Sequence, residues 1–430
     1  MRHDVRVIPR CWDVGRSAAL AAAAAIVISA CGQARVAAPP TPQFTSGQRA
    51  EPIVIEDRSA SDGGFEPILA EDIETDSVAT DVVVDVDQML LLDDAGNASP
   101  NRSGWQSFDD ALETRLIPAD VSASVAVMID GEVVHRAAFG ERVAGGGDPV
   151  ETTDRFRIAS ISKTITAIVA LQLVEEGTLT LDDPVGQTLV DHLGLRNYDA
   201  DVSTITVRKL LSHTAGFPKY ANLFFSNGAT SCVDAAMQGL VRSVPASSGF
   251  RYSNMSYCML GILIEAVTGK TYERVVYEHL LTPLGIGGMR MSSTYDLGPD
   301  EVSHHPTPGR NFMETLGAAG SWNATPTDLV TILNSIDPST PGWKALSPEL
   351  ATAMRYRIPD GQPPTGYGLG LINYADGFGH TGTIQNTHAM AMVQPDGVTW
   401  AITVSGEYPS ETSQLRNIMR TALAAGFGYR

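Results

Sequence analysis

Strand-like runs stand at both ends of the body of this chain and helix-like runs fill its middle, and that distribution restricts the fold more than any composition figure. At the near end, residues 124–129 and 133–139 are short apolar runs joined at Asp130-Gly131, a tight hairpin signal. At the far end, residues 369–374, 387–393 and 399–404 are similar runs, broken by Asp376-Gly377 and Pro395-Asp396-Gly397. Helical periodicity frames the whole. Residues 105–116 put Trp105, Phe108, Leu112 and Leu116 on one stripe with Pro118 just beyond, and residues 412–424 read as a closing helix. Between the strand groups lie helices at 256–267, 272–281 and 326–336, the last with Thr325 as its N-cap. A single sheet built from both ends, with a helical domain inserted between, satisfies this order most simply. No internal repeat is present.

The chain of 430 residues has a formal charge of -19, which argues against nucleic acid or an anionic membrane surface as an electrostatic partner. The acidity is local. Residues 51–100 hold fourteen carboxylates against one cation, Arg58. With few aromatics and the extended Pro39-Pro40-Thr41-Pro42 before it, the segment from 31 to 104 reads as an acidic tether, mostly disordered. Val82 to Leu92 dissents, being apolar enough for a strand or two that either docks on the body or forms a small appendix. The globular domain is expected from Trp105 to Arg430.

Residues 1–30 read as a targeting segment. Arg2, Arg6, Arg10 and Arg16 precede an alanine-rich apolar run too short to span a bilayer. The run ends in Ile28-Ser29-Ala30-Cys31, which resembles a bacterial lipobox, where cleavage precedes the cysteine and its sulfur is lipidated. The expected product is an exported lipoprotein anchored to the outer face of the bacterial cell membrane through Cys31. Cys11 then leaves with the signal, and Cys232 and Cys258 remain as an even pair in an oxidising setting, a candidate disulfide.

Chemistry concentrates at Ser160-Ile161-Ser162-Lys163, at the start of an apolar helical run. Residues three apart share a helix face, so the Ser160 hydroxyl and the Lys163 amine can meet. Ser160 in the first turn would lie in the positive end of the helix dipole. Lys163 serves as a base only if burial leaves some of it neutral. Alone, the pair reads as a helix start with a solvated lysine.

Two later stretches change that. Tyr252-Ser253-Asn254 and His380-Thr381-Gly382 follow in order. With Ser-x-x-Lys they resemble the three signatures of the serine β-lactamase and penicillin-binding protein superfamily, in separations similar to class C β-lactamases, DD-peptidases and β-lactamase-like esterases. Supporting stretches are residues 210–216 and 316–321, and the resemblance runs from about Trp105 to Gly426. It implies an α+β fold: an α/β sandwich with an antiparallel sheet from both ends of the body, plus an all-α domain. It also implies a serine hydrolase forming an acyl-enzyme on Ser160, with Lys163 and Tyr252 sharing the base role in an order left open. A cationic Lys163 would leave Tyr252 partly ionised. Asn254 would brace Lys163 and offer an amide to the substrate. His380, Thr381, Gly382 and Thr383 would bind substrate, the motif preceding a strand that opens near Thr383, with the backbone N–H groups of Ser160 and Thr383 as the oxyanion hole.

The third signature usually opens with Lys; here His380 is mostly neutral near pH 7. That favours a small or peptide ester or amide with little negative charge. A peptidoglycan D,D-peptidase or weak β-lactamase is the first rival, and a non-catalytic envelope binding protein the second. His213 is read as structural. His304-His305 lack the partners of a metal site, so no metal or cofactor is expected. Gly-x-Ser-x-Gly does not occur, which excludes a nucleophile elbow.

Overall fold

The computed structural model describes residues 85–92, 98–242, 249–303, 308–355 and 366–428. The targeting segment, Cys31, most of the acidic tether and His304-His305 lie outside the described residues.

The described strands form three sheets. β1 (Leu90–Leu92) and β2 (Ala98–Pro100) make a small antiparallel ladder. β3 (Ser122–Ile129) and β4 (Glu132–Phe139) make the expected hairpin, turning at Asp130-Gly131. β5 (Phe156–Arg157) and β6 (Arg290–Met291) both pair with β7 (Trp322–Ala324). The late strands are β8 (Gly366–Tyr367), β9 (Ile372–Tyr374), β10 (Gly377–Ile384), β11 (Thr387–Val393) and β12 (Val398–Ser405). They join the hairpin in one antiparallel seven-stranded sheet of order β4-β3-β12-β11-β10-β9-β8. The last strand thus lies beside the first, Ser122 opposite Ser405 and Ile129 opposite Val398.

Alternation along the strands explains the layers. Val125, Val127 and Ile129 share one buried cluster with Met390, Met392, Trp400, Ile402 and Val404, packed on helices α1 (Arg102–Leu116) and α5 (Gln414–Phe427). Their neighbours Ala126, Met128, Ala389, Ala391 and Ala401 face the other way, into the helical body. Trp105, Phe108, Leu112 and Leu116 are all buried under the sheet, as the stripe predicts, and each such side chain contributes roughly 2 kcal/mol relative to exposure. Asn101 caps α1 through its side chain, accepting from the Gly104 N–H.

The helical body centres on α2 (Ser162–Glu175), buried on every side from Ser162 to Leu173 rather than along one face. Around it pack α3 (Cys232–Leu240), α4 (Asn254–Thr268) and the helical stretch 272–281. Cys232 and Cys258 form a disulfide linking α3 to α4.

Several expectations are corrected. The ordered body does not begin at Trp105: Met89 is fully buried in the α1–α5 cluster, because the Val82 to Leu92 run is apolar and part of it docks. Residues 369–371 are a turn, since Gly370 has φ +86° and its carbonyl accepts from Thr164 of α2 instead of a strand. Ser160 is not in the α-helix but in the preceding 3-10 turn, Ala159–Ile161. His380-Thr381-Gly382 lies inside a strand of eight residues, which its three glycines hide from propensity.

Candidate active site

Backbone pairing brings the Ser160 turn to its neighbours. β5 leads into the turn, and its pairing with β7 is extended by the Ile158 N–H donating to Trp322 O at 3.1 Å. β7 in turn emerges from a second 3-10 turn, Gly317–Ala319. Ala159 holds φ +46°, a left-handed conformation uncommon outside glycine, immediately before Ser160. On the far side β10 closes in. A Cβ at Gly382 would sit 2.1 Å from Ile158 O, so only glycine lets the strand approach the turn this closely.

Lys163 Nζ lies 3.0 Å from Ser160 Oγ, 2.8 Å from Asn254 Oδ1 and 2.8 Å from Ala319 O. The lysine is fully buried, and burial alone drives its pKa well below the ordinary value, with no carboxylate opposing the shift among the described residues. The three contacts suit an ammonium with three N–H donors, whereas burial favours the neutral amine. In the neutral form two N–H bonds go to obligate carbonyl acceptors, and the lone pair remains for the Ser160 O–H.

A directional hydroxyl chain holds the Gly317–Ala319 turn. Trp322 Nε1–H donates to Tyr272 OH at 3.0 Å, Tyr272 OH meets Thr166 Oγ1 at 2.7 Å, and Thr166 donates to Ala318 O at 2.7 Å. The Tyr272 phenol is buried and pushed up to about 12, so it stays a donor. The turn also packs against the disulfide: a Cβ at Gly317, where φ is +49°, would meet Cys232 Cβ at 2.9 Å.

Tyr252 faces the same pair. Lys163 Nζ sits 4.9 Å from the centroid of its ring. Part of the ring is exposed, but its hydroxyl is out of solvent and forms no well-aligned hydrogen bond within the protein. Burial raises the phenol well above its ordinary value, and the Ser160 hydroxyl opposes this only in part. Against the expectation of a partly ionised Tyr252 beside a cationic Lys163, burial of the amine and of the phenol oxygen favours the neutral form of each.

His380 is not presented to the open side. Its ring is fully buried, Nδ1 donates to Thr381 O at 2.6 Å, and Nε2 accepts from Tyr367 OH at 3.1 Å. Burial holds it at about 3, so it is neutral, and neither nitrogen is free to grip a substrate carboxylate. Thr381 and Thr383 stand opposite Met390 and His388 in the ladder, on the sheet face away from Lys163. The Thr383 hydroxyl bonds to Thr412, which also meets His388 Nδ1 at 2.9 Å. The strand's offering to a ligand is its backbone. β9 pairs only with Gly377 to Gly379, so past that point alternate N–H and C=O groups of β10 have no strand partner on that edge among the described residues.

Ser160, Lys163, Tyr252, Asn254 and Gly382 are thus brought together; His380 is on their side of the sheet but buried and engaged, while the two threonine side chains lie on the other face. Ala319 O and the Tyr367 hydroxyl escaped the sequence reading. The first is a backbone atom with no side-chain signal, and the second lies in no recognised motif. Among the described residues no group of three or more His, Cys, Asp or Glu side chains converges to hold a metal ion.

A family model described as Beta-lactamase matches residues 109–424. The chain belongs to the β-lactamase family. It is a serine hydrolase of that family by kinship with its relatives. Penicillin-binding protein 4 of Amycolatopsis lactamdurans is 28% identical over 361 residues, covering 76% of this chain and 90% of that protein. Penicillin-binding protein 4* of Bacillus subtilis (strain 168) is 28% identical over 183 residues, and the match takes in only 39% of its length. Among solved structures, SurE with D-Leu aligns at TM-score 0.61 and 26% identity, covering 76% of each chain. A D-stereospecific amidohydrolase from Streptomyces sp. aligns at TM-score 0.57 and 25% identity, covering 75% of this chain and 98% of that one.

Proposed function

We propose that this chain hydrolyses an amide or ester with no negative charge near the scissile carbonyl, through an acyl-enzyme on Ser160. The observation that carries the reading is the buried Lys163 amine, with two N–H bonds committed and its third position on Ser160 Oγ. Neutral Lys163 takes the Ser160 proton as Oγ attacks the carbonyl carbon. The backbone N–H groups of Ser160 and Thr383 receive the oxyanion, each such donor contributing about 3 kcal/mol to the barrier. The neutral Tyr252 phenol passes a proton to the leaving nitrogen or oxygen as its bond to carbon breaks, and Lys163 restores that proton. Water then attacks the acyl carbon, its proton passes through the Tyr252 phenol to neutral Lys163, Lys163 returns a proton to Ser160 Oγ as the carbon–Oγ bond breaks, and the acid departs. Asn254 holds Lys163 and lies where its amide meets the substrate.

Neutral, fully engaged His380 supports an uncharged substrate over a carboxylate-bearing one. The D-specific relatives point to D-configured acyl donors as the first class to try. A fluorophosphonate is expected to label the wild type and not Ser160→Ala. Turnover should be faster on D- than on L-aminoacyl p-nitroanilides, and faster on either than on a chromogenic cephalosporin. Faster cephalosporin or D-Ala-D-Ala peptide turnover would favour the D,D-peptidase or β-lactamase reading. No labelling of a folded wild type would favour a binding protein.

The Ser29-Ala30-Cys31 sequence supports anchoring at the cell envelope through lipid on Cys31, and the Cys232–Cys258 disulfide fits an oxidising compartment. No described helix is long and apolar enough to cross a membrane. Expressed from its full-length gene in a bacterial host, the protein should take up radiolabelled palmitate. Cys31→Ser should not; equal uptake by both would end the lipoprotein reading.

A further inference from the structure

We propose that His213 is a positioning residue for Tyr252, gripping the chain on both sides of that phenol with two acceptors. The inference rests on the reading that Tyr252 carries a proton. His213 O accepts the Arg251 N–H at 2.9 Å, and His213 Nδ1 accepts the Ser253 N–H at 3.1 Å. The residue between those two donors is Tyr252. Its ring lies against the imidazole with centroids 4.3 Å apart. The clamp therefore fixes the backbone before and after the phenol and one face of the phenol itself.

Two features make the grip specific. His213 holds φ +57°, a left-handed conformation in which its carbonyl and its imidazole both reach the 251–253 segment. The Ser253 N–H can bond only to an unprotonated Nδ1, so the ring proton sits on Nε2, which is buried without a partner in the protein. Burial, with Lys163 and His380 nearby, keeps the ring neutral, so the acceptor persists across the working pH range. Tyr257 and Tyr367 close around it at ring separations of 5.0 and 4.7 Å. Ser253 in turn caps α4 and precedes Asn254, so the same grip sets where the second lysine partner begins.

The test is a set of substitutions in the whole protein, read as kcat and KM on the preferred aminoacyl p-nitroanilide. Asparagine tolerates the left-handed backbone, and its side-chain oxygen falls near the place of Nδ1. Phenylalanine keeps an aromatic face and removes the acceptor. His213→Phe is expected to lower kcat on the order of tenfold to a hundredfold with little change in KM, the scale of a misplaced reacting group. His213→Asn should recover most of the loss. In a Tyr252→Phe background, where no phenol remains to be placed, His213→Phe should cost almost nothing further. The proposal is overturned if His213→Phe costs the same factor with and without the Tyr252 hydroxyl, or if Asn restores no more than Phe. Should His213→Phe fail to fold, His213→Gln, whose amide lies too far out to meet Ser253, makes the same comparison. Tyr252→Phe alone separates the two ideas: an unchanged kcat there removes the role of Tyr252 and the clamp with it. A large loss there, combined with an indifferent His213, removes only the clamp.

Discussion

Lys163→Met lowers kcat by about a thousandfold or more, the scale of losing a positioned general base. Methionine matches the length and the burial of the lysine stem, so the substitution removes the amine with little disturbance of volume. It leaves Asn254 Oδ1 and Ala319 O without their donor, at a cost in stability of about 1–3 kcal/mol for each. Lys163→Arg is no rescue, because a guanidinium stays charged and cannot take a proton from Ser160. The pH profile carries the same argument. The active form is the neutral amine, and burial lowers the lysine's pKa, so kcat/KM climbs with pH through that lowered value. A plateau is expected well below pH 10.5. A rate that keeps rising toward pH 10 would mean a lysine of ordinary basicity, and the role assigned to it would fall.

Acid sensitivity is the second large effect. His380 and His388 are buried neutral, held at about 3 and about 4, and His213 lies well below its ordinary value. The unfolded chain takes up a proton at each near pH 6.5, whereas the folded chain does not until far lower pH. Between pH 6.5 and 4 the unfolded state therefore binds more protons, and stability falls as pH falls. His380 and His388 each remove about 1.4 kcal/mol per pH unit in that window, about 3 together, and His213 acts in the same direction. Thermal unfolding should show Tm steady above pH 7 and dropping steeply below 6. His388→Asn, at a position on the sheet face away from Lys163, should flatten the drop by about a third. A Tm indifferent to pH between 7 and 4.5 would contradict the buried neutral state of these rings.

Much of this was legible in the residues because it rests on short-range pattern. The β11 bounds agree with the apolar run at 387–393, and the α1 stripe is the buried stripe. The Ser160, Lys163, Tyr252 and Asn254 grouping was readable only through the resemblance to three family signatures in order, since each residue alone has a bland reading. Three things were illegible for physical reasons. β5, β6 and β7 have two or three residues each, too few to carry a period. Gly377, Gly379 and Gly382 weaken the strand signal of β10, while Gly382 permits the close approach to Ile158 that the site needs. The ionisation of Tyr252 and His380 depends on burial by residues distant in sequence, which no local window contains.

The seating of β3 between β4 and β12 has a consequence for how such a polypeptide matures. Delivered amino end first, from a ribosome or through a secretion pore, it must keep Ser122–Ile129 with one bare flank until Val398–Ser405 arrives. The nucleophile's turn likewise waits for Trp322, and then for Gly382, before it is walled in. Hydrolytic competence is therefore a property the molecule acquires late and all at once, and a prematurely terminated product would be both inert and adhesive.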